Sequence, residues 1–94
     1  MGPEEMADAY VKEADALFAA KRYEEAIAVY DMAIGLYPDS SEAWTNKASV
    51  LRSVGRLQEA LECADRALEI GLSPVAEALR SNLVDDLRRK GIVR

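Results

Sequence analysis

The sequence predicts an all-α fold of five antiparallel helices, and three observations support this prediction. Alanine, leucine and glutamate dominate the 94 residues, whereas β-branched residues are few and never alternate over a long stretch. This composition favours helices over strands. The chain also matches itself at an offset of 34 residues, which marks duplicated structural units. Within each unit, apolar residues recur at helical spacing.

The duplicated units span residues 7–40 and 41–74, which align without a gap. Eight positions carry the same residue in both units: Ala9/Ala43, Ala14/Ala48, Leu17/Leu51, Arg22/Arg56, Glu25/Glu59, Ala26/Ala60, Asp31/Asp65 and Ala33/Ala67. Conservative replacements surround them: Tyr10/Trp44, Ile27/Leu61, Ile34/Leu68 and Leu36/Ile70. We therefore expect the two units to fold alike.

The first unit reads as two helices separated by a short break at residues 20–22. Apolar and small residues line one side of each helix: Tyr10, Ala14, Leu17 and Phe18 in the first, then Tyr23, Ala26, Ile27, Tyr30, Ala33 and Ile34 in the second. Pro38 closes the second helix, and Ser40 or Asp39 caps the helix that follows.

The second unit repeats this hairpin pattern. Its matching faces contain Trp44, Ala48 and Leu51, then Leu57, Ala60, Leu61, Ala64, Ala67 and Leu68. Gly55 lies between the two helices, where a left-handed residue commonly ends a helix.

With this period and these residues, the chain resembles the tetratricopeptide repeat family. The resemblance is carried by Tyr10, Ala14, Leu17, Ala26, Tyr30, Ala33 and Pro38 in the first unit, and by Trp44, Ala48, Leu51, Ala60 and Ala67 in the second. The sequence departs from the family at four positions: Glu13 and Lys47 replace a large apolar residue, Ala64 replaces an aromatic residue, and Leu72 replaces proline.

The resemblance implies a right-handed α-α superhelix built from helix-turn-helix repeats. It places small residues where two helix axes come nearest, so that a larger side chain would overpack the contact. These residues are Ala14, Ala26, Ala48 and Ala60.

A fifth helix follows Gly71, with Ser73 as its cap and Pro74 in its first turn. A strict 34-residue register would turn its apolar residues outward and bury Ser81, Asn82 and Asp85. Two extra residues in the turn at 70–74 instead place Leu83, Val84, Leu87 and Gly91 at the family's positions. We favour this second register, because burying each large apolar side chain contributes about 1.5–3 kcal/mol.

The predicted organisation therefore has four parts. Residues 1–6 form an N-terminal lead-in, residues 7–40 and 41–74 form the two repeat units, and residues 75–94 form a capping helix with a short tail. No partner helix follows the fifth helix within the 94 residues, so we expect it to cover the open face of the second unit, as repeat arrays require.

The side chains needed for common enzyme chemistry are missing. The chain has no histidine and only one cysteine, Cys63, which excludes His-based catalysis, His metal sites and paired-cysteine motifs. Its glycines never cluster into a phosphate-binding loop. Adjacent carboxylates such as Glu24 and Glu25 diverge around a helix and are typical of a solvated face. We predict a non-catalytic protein without metal or other cofactors.

The charge and hydropathy of the chain limit the kinds of partner that it can have. The net charge of −5 disfavours nucleic-acid binding, which depends on clustered Lys and Arg. No apolar run approaches the roughly 18 residues that span a bilayer, and the first residues lack the basic, apolar pattern of a signal peptide. Since Cys63 cannot form an internal disulfide, the chain is compatible with a reducing cytoplasm, and we expect it there.

The resemblance implies a concave groove, lined by the first helix of each unit, that binds peptides or protein segments. Helical periodicity assigns groove positions to three helices: Asp8, Val11, Lys12, Asp15, Phe18 and Ala19, then Glu42, Thr45, Asn46, Ser49, Arg52 and Ser53, then Ala78, Ser81, Asn82, Asp85, Arg88 and Arg89. Acidic residues lie towards one end of this set. Arg52, Arg88 and Arg89 lie towards the other and are expected to meet acidic groups of a partner, while Val11 and Phe18 supply apolar contact.

One subgroup of the family clamps the acidic C-terminal tails of heat-shock chaperones with lysines, asparagines and an arginine. Asn46 matches one of these positions. Val11 and Asp15 stand where the clamp needs lysine and asparagine, and Asp15 adds an acid to the pocket. We therefore do not expect a chaperone-tail clamp here.

Two hypotheses for function follow. The first is an adaptor that binds a peptide or helix of another protein in the concave groove. The second is a self-assembling or structural module, in which the capping helix and the apolar tail residues Ile92 and Val93 mediate homo-oligomers.

Overall fold

Five α-helices joined by turns of three or four residues make up residues 1–91, the part of the chain that the computed structural model describes. The helices are α1 (Pro3–Ala19), α2 (Tyr23–Leu36), α3 (Ser41–Ser53), α4 (Leu57–Ile70) and α5 (Pro74–Arg89). Residues 1–91 contain no strand. The main contacts join each helix to the next along the chain. The prediction of an all-α helical repeat fold is confirmed.

Local sequence signals fix where the helices begin. Ser40 caps α3 by accepting a hydrogen bond from the Ala43 amide at 3.2 Å, so Ser40 rather than Asp39 is the cap. Ser73 caps α5 in the same way. Helix α1 begins at Pro3, ahead of the predicted repeat boundary at residue 7, because proline is favoured in a first helical turn.

The two hairpin turns have the same backbone geometry although their central residues differ. Gly55 has φ of 84° in the α3–α4 turn, and Lys21 has φ of 62° at the equivalent point of the α1–α2 turn. In both turns, the next amide donates to a carbonyl five residues back, from Arg22 to Leu17 and from Arg56 to Leu51, at 2.9 Å in each case. The left-handed conformation predicted at Gly55 is therefore observed, and the first unit adopts it with a lysine.

The small residues of the repeat lie where no solvent reaches. Ala14, Ala26, Ala48 and Ala60 each have 0% relative exposure and belong to one continuous hydrophobic core. Tyr30 is the largest fully buried side chain of that core. Ala28, on the outer side of α2, is exposed, so alanines of the same helix differ in burial according to the side on which they lie.

Helix α5 buries the stripe expected from the second register. Leu83 and Leu87 have 0% exposure, whereas Ser81, Asn82 and Asp85 are exposed. Gly91, with φ of 73°, ends this region as Gly55 ends α3.

The position of the extra residues was predicted wrongly. The turn before α5 has three residues and the turn before α3 has four, whereas α5 is longer than α3, with 16 residues against 13. Ser73 and Pro74 start α5 early because they supply a cap and a residue with a helical φ angle. The added length therefore lies within the helix.

We predict that Ala26→Leu or Ala60→Leu lowers the free energy of unfolding by about 1–3 kcal/mol, because the larger side chain overpacks a contact between closely spaced helices. Ala28→Leu is the matched control and should change stability little, since Ala28 is exposed. Urea denaturation followed by circular dichroism measures all three. Equal stabilities for the buried and exposed variants would contradict the packing described above.

We also predict that Lys21→Gly raises the free energy of unfolding by about 0.5–1 kcal/mol, because only glycine adopts a left-handed conformation without steric cost. Lys90→Gly serves as the control, since Lys90 has an ordinary right-handed conformation and should gain nothing. A Lys21→Gly variant no more stable than the native chain would refute the left-handed turn.

Candidate functional site

Asp15 connects three helices at the junction of the two hairpins. Its carboxylate accepts a hydrogen bond from the Tyr30 hydroxyl on α2 and another from the Asn46 side-chain amide on α3, the latter at 3.0 Å. Burial raises the pKa of Tyr30 above its ordinary value, and the hydrogen bond to Asp15 raises it further. The hydroxyl therefore remains a donor, and Asp15 fixes α1 relative to both neighbours.

Asp86 performs the equivalent role between α3 and α5. The Arg52 Nε donates to its carboxylate at 2.7 Å, and Arg89 donates to the same carboxylate from one turn further along α5. The hydrogen bond with Arg52 lowers the pKa of Asp86, and the same bond raises the pKa of Arg52. The two groups thus stay charged and hold α5 against α3.

These contacts define which side of α3 is open. Asn46 reaches α1 and Arg52 reaches α5, so the strip of α3 between them faces neither helix. At 100° per residue, Glu42, Ser49 and Ser53 fall within this strip, and Glu42 and Ser53 are exposed. This strip forms the floor of a concave surface, which we call the groove, whose sides are α1 and α5.

Two of the predicted groove residues are covered by the protein itself. Val11 has 2% relative exposure and Thr45 has 6%. They occupy equivalent positions, one residue after Tyr10 and Trp44, so the same side of each first helix is covered in both units. Their assignment as contact residues for a partner is corrected accordingly, except where Thr45 lines the pocket described below.

The other predicted residues of α1 lie on the side that bears Asp15. Lys12 is exposed and lies one turn before Asp15. Phe18 is half-buried and packs edge-on against Tyr23, with ring centroids 5.9 Å apart. Its main contact is therefore inside the first hairpin.

Helical periodicity divides the predicted residues of α5 into two groups. Asn82 and Arg89 lie within about 60° of Asp86, on the side facing α3, and Asp85 lies about 100° away. Ser81 and Arg88 lie about 140° and 160° from Asp86. The structure therefore brings Asn82 and Arg89 to the groove, and places Ser81 and Arg88 away from it.

A pocket of about 320 Å³ opens where α3 and α5 begin. It is lined by Ser41, Glu42, Thr45, Asn46, Ser73 and Val75. Next to it, the side chains of Leu72 and Val75 are 87% and 67% exposed. The pocket therefore joins polar groups on α3 to an exposed apolar edge at the start of α5.

The opposite surface of the array carries inter-helix ion pairs. Lys47 lies 2.6 Å from Asp31 on α2, and Arg80 on α5 lies 2.6 Å from Asp65 on α4. Asp31 and Asp65 are equivalent positions of the repeat, so α5 reproduces the contact that joins the two units. Cys63 lies on this side, and burial raises the pKa of its thiol.

Sequence reasoning missed three contributors to the groove. The sequence pattern indicates only a core position for Tyr30, a solvated face for the adjacent carboxylates Asp85 and Asp86, and the start of the last helix for Val75. A possible signal for Asp86 was its position three residues before Arg89, a spacing at which helical side chains meet.

Among residues 1–91, no group of side chains could hold a metal ion. No helix in this range is long and apolar enough to cross a membrane.

Five helices arranged as repeated hairpins, with a groove lined by alternate helices, define a helical-repeat fold. The sequence profile described as tetratricopeptide repeat matches residues 3–41 and 11–77. The chain belongs to the tetratricopeptide repeat family. Proteins of this family are generally non-catalytic interaction modules, and their repeat domains bind proteins or peptides.

Relatives include proteins of different overall size. DnaJ homolog subfamily C member 7 of Mus musculus is 32% identical over 74 residues, which are 79% of this chain and 15% of that protein. An uncharacterized protein of Methanocaldococcus jannaschii is 45% identical over 47 residues, which are 50% of this chain and 55% of that protein. The chain therefore spans only part of the length of either relative.

A solved structure with the same fold is that of YrrB, described as a TPR protein with an unusual peptide-binding site. It superposes with a TM-score of 0.81 at 21% sequence identity, over 88% of this chain and 43% of that chain. This similarity establishes the shared fold.

We predict that the stability gap between the native protein and Asp86→Asn depends on pH. Because the folded pKa of Asp86 is lowered, its contribution to stability is complete above the unfolded value of about 3.9 and is lost as pH falls through the folded pKa. The difference in free energy of unfolding between the two proteins should therefore narrow as the pH falls below about 3.9. Urea denaturation at a series of pH values on both sides of this one measures the difference.

Asp85→Asn is the control for this titration, since Asp85 is exposed and forms no ion pair with another residue of 1–91. A gap for Asp86→Asn that does not change with pH would show that the ion pair with Arg52 is absent in solution.

Proposed function

We propose that this protein is an adaptor that binds a peptide or helical segment of another protein in the groove formed by α1, α3 and α5. The observation that carries this proposal is the arrangement of α3. Its two edges are tied to α1 by Asn46 and to α5 by Arg52, while Glu42 and Ser53 between them remain exposed.

The surface that we propose for binding is a subset of the predicted residues. It contains Lys12, Asp15, Asn46, Ser49, Arg52, Asn82, Asp85 and Arg89, together with Glu42 and Val75 from the pocket. Membership of the family supports this function, because its repeat domains bind proteins or peptides. The peptide-binding site named for YrrB supports the use of this fold for such a ligand.

Two further features fit this proposal. The net charge of −5 favours a protein partner over nucleic acid. A fold that holds with one buried free cysteine suits a reducing compartment, which supports a cytoplasmic location. The alternative of self-assembly rests on the capping helix α5 together with Ile92 and Val93. These two residues lie outside the described residues, and the alternative stays a sequence-based hypothesis.

We predict that filling the groove weakens peptide binding strongly while the fold is kept. Peptides are first selected on the native protein from a random library displayed on phage, and their affinities are measured by isothermal titration calorimetry. The double variant Ser49→Arg and Ser53→Arg places two long side chains on the groove floor and should weaken binding about tenfold or more.

The control is the double variant Ala28→Arg and Gln58→Arg, which adds the same charge to exposed positions on α2 and α4. It should bind as the native protein does. Thermal melting checks that both variants are folded. Equal binding by the groove variant, or selection of no peptide at all, would refute the proposed function.

A further inference from the structure

The two ends of the groove differ in how far their charges are neutralised. At the end near the C-terminus of α5, Asp86 already engages Arg52 and Arg89. Its side chain is only 14% exposed, so a partner's carboxylate would have to compete with a neighbouring carboxylate that is already in place. This end is therefore poorly suited to an acidic ligand, contrary to the expectation from the sequence.

The other end of the groove carries negative charge without a paired cation. Asp15 and Glu42 form no ion pair with any residue of 1–91 at 4 Å or less, and neither does Lys12 on the same face of α1. Burial raises the pKa of the Tyr30 hydroxyl most, and its hydrogen bond to Asp15 raises it further. The negative charges of Asp15 and Glu42 add smaller increases, so both carboxylates lie near this hydroxyl. Their charges therefore act on the same small region.

The neighbouring pocket offers three acceptors to a ligand. The Thr45 hydroxyl donates its hydrogen to the Ser41 carbonyl at 2.8 Å, so its oxygen can only accept from a further partner. Asn46 donates one of its two amide hydrogens to Asp15, so its oxygen remains an acceptor and its second N–H remains a donor. Glu42 adds a carboxylate to the same lining.

The size and apolar edge of the pocket suit one long side chain. Its volume of about 320 Å³ lies at the small end of the range for ligand pockets, about 300–1,000 Å³. Val75 lines the pocket and is 67% exposed. The methylene stem of a lysine or arginine can lie on such an apolar surface while its charged head reaches polar groups.

We propose that this end of the groove binds a basic peptide segment, with a lysine or arginine side chain in the pocket between Glu42, Thr45 and Val75 and an adjacent apolar residue against Leu72. This inference rests on the proposed function and specifies its ligand. The charged head would donate to Glu42 and to the free oxygens of Thr45 and Asn46. The peptide would run along the floor of α3.

The test uses the peptides selected on the native protein by phage display. We expect lysine or arginine, next to an apolar residue, to be enriched in them. Replacing that lysine by ε-acetyl-lysine, which keeps the stem and removes the charge, should weaken binding about tenfold. Raising NaCl from about 0.05 M to about 0.5 M should weaken binding of the unmodified peptide by a similar factor.

Protein variants then localise the contact. Glu42→Gln keeps the shape of an exposed side chain and should also weaken binding about tenfold. Glu69→Gln is the matched control, because Glu69 is exposed on α4 and its replacement changes the net charge equally. It should leave the affinity unchanged.

The outcomes separate this inference from the function on which it rests. Selected peptides that are acidic or neutral, or that bind Glu42→Gln as tightly as the native protein, would overturn the basic ligand. If those peptides still lost affinity for the Ser49→Arg and Ser53→Arg variant, the groove function would stand. Selection of no groove-dependent peptide would overturn both.

Discussion

The close approach of helices at alanine is the constraint from which the rest of the structure follows. A methyl side chain at Ala14, Ala26, Ala48 and Ala60 lets two backbones pack with nothing larger between them, and all four residues are fully buried. Because each hairpin is thin, successive hairpins stack closely and α3 is held between α1 and α5. The exposed strip of α3 is a direct result of this stacking, since only one face of the middle helix is left without a neighbour.

Polar contacts then fix how the stacked helices are oriented. Asp15 and Asp86 bind across the two junctions on the groove side, while Asp31 and Asp65 bind on the opposite side through Lys47 and Arg80. Exposed ion pairs contribute little stability individually. Their placement at both edges of each junction nevertheless favours one orientation of each helix over its neighbours. Arg80 on α5 pairs with Asp65 on α4 in the same way that Lys47 on α3 pairs with Asp31 on α2. Helix α5 therefore docks as the first helix of a third unit would.

The sequence predicted the parts of the fold that depend on local residues or on the repeat. Ser73, Gly55 and the buried alanines act through their own backbone or through contacts repeated in both units, so pattern alone locates them. It did not predict the length of α5. Either a longer turn before the helix or a longer helix with an earlier cap brings Leu83 and Leu87 to the same positions relative to the second unit, so the pattern cannot distinguish the two. It also misplaced Val11, since the side covered by the next hairpin depends on how two units are rotated against each other.

The candidate site was less accessible to prediction for a related reason. Asp15, Asn46 and Arg52 were assigned from helical periodicity, which gives direction around one helix but not the partner on another. The bond from Arg52 to Asp86 joins residues 34 apart in sequence, and no pattern within a single helix indicates that the arginine is already engaged. Its neutralisation by Asp86 is the reason for proposing a basic rather than an acidic ligand, and it is visible only in the packed helices.

We propose that a partner binds the concave side of the helical array and not its outer side. It is tested most directly by nuclear magnetic resonance on ¹⁵N-labelled protein, titrated with a peptide that binds the native chain. We expect the chemical-shift changes of the backbone amides to concentrate on α1, α3 and α5, around Asp15, Glu42 and Ser49. Changes concentrated on α2 and α4 would contradict it.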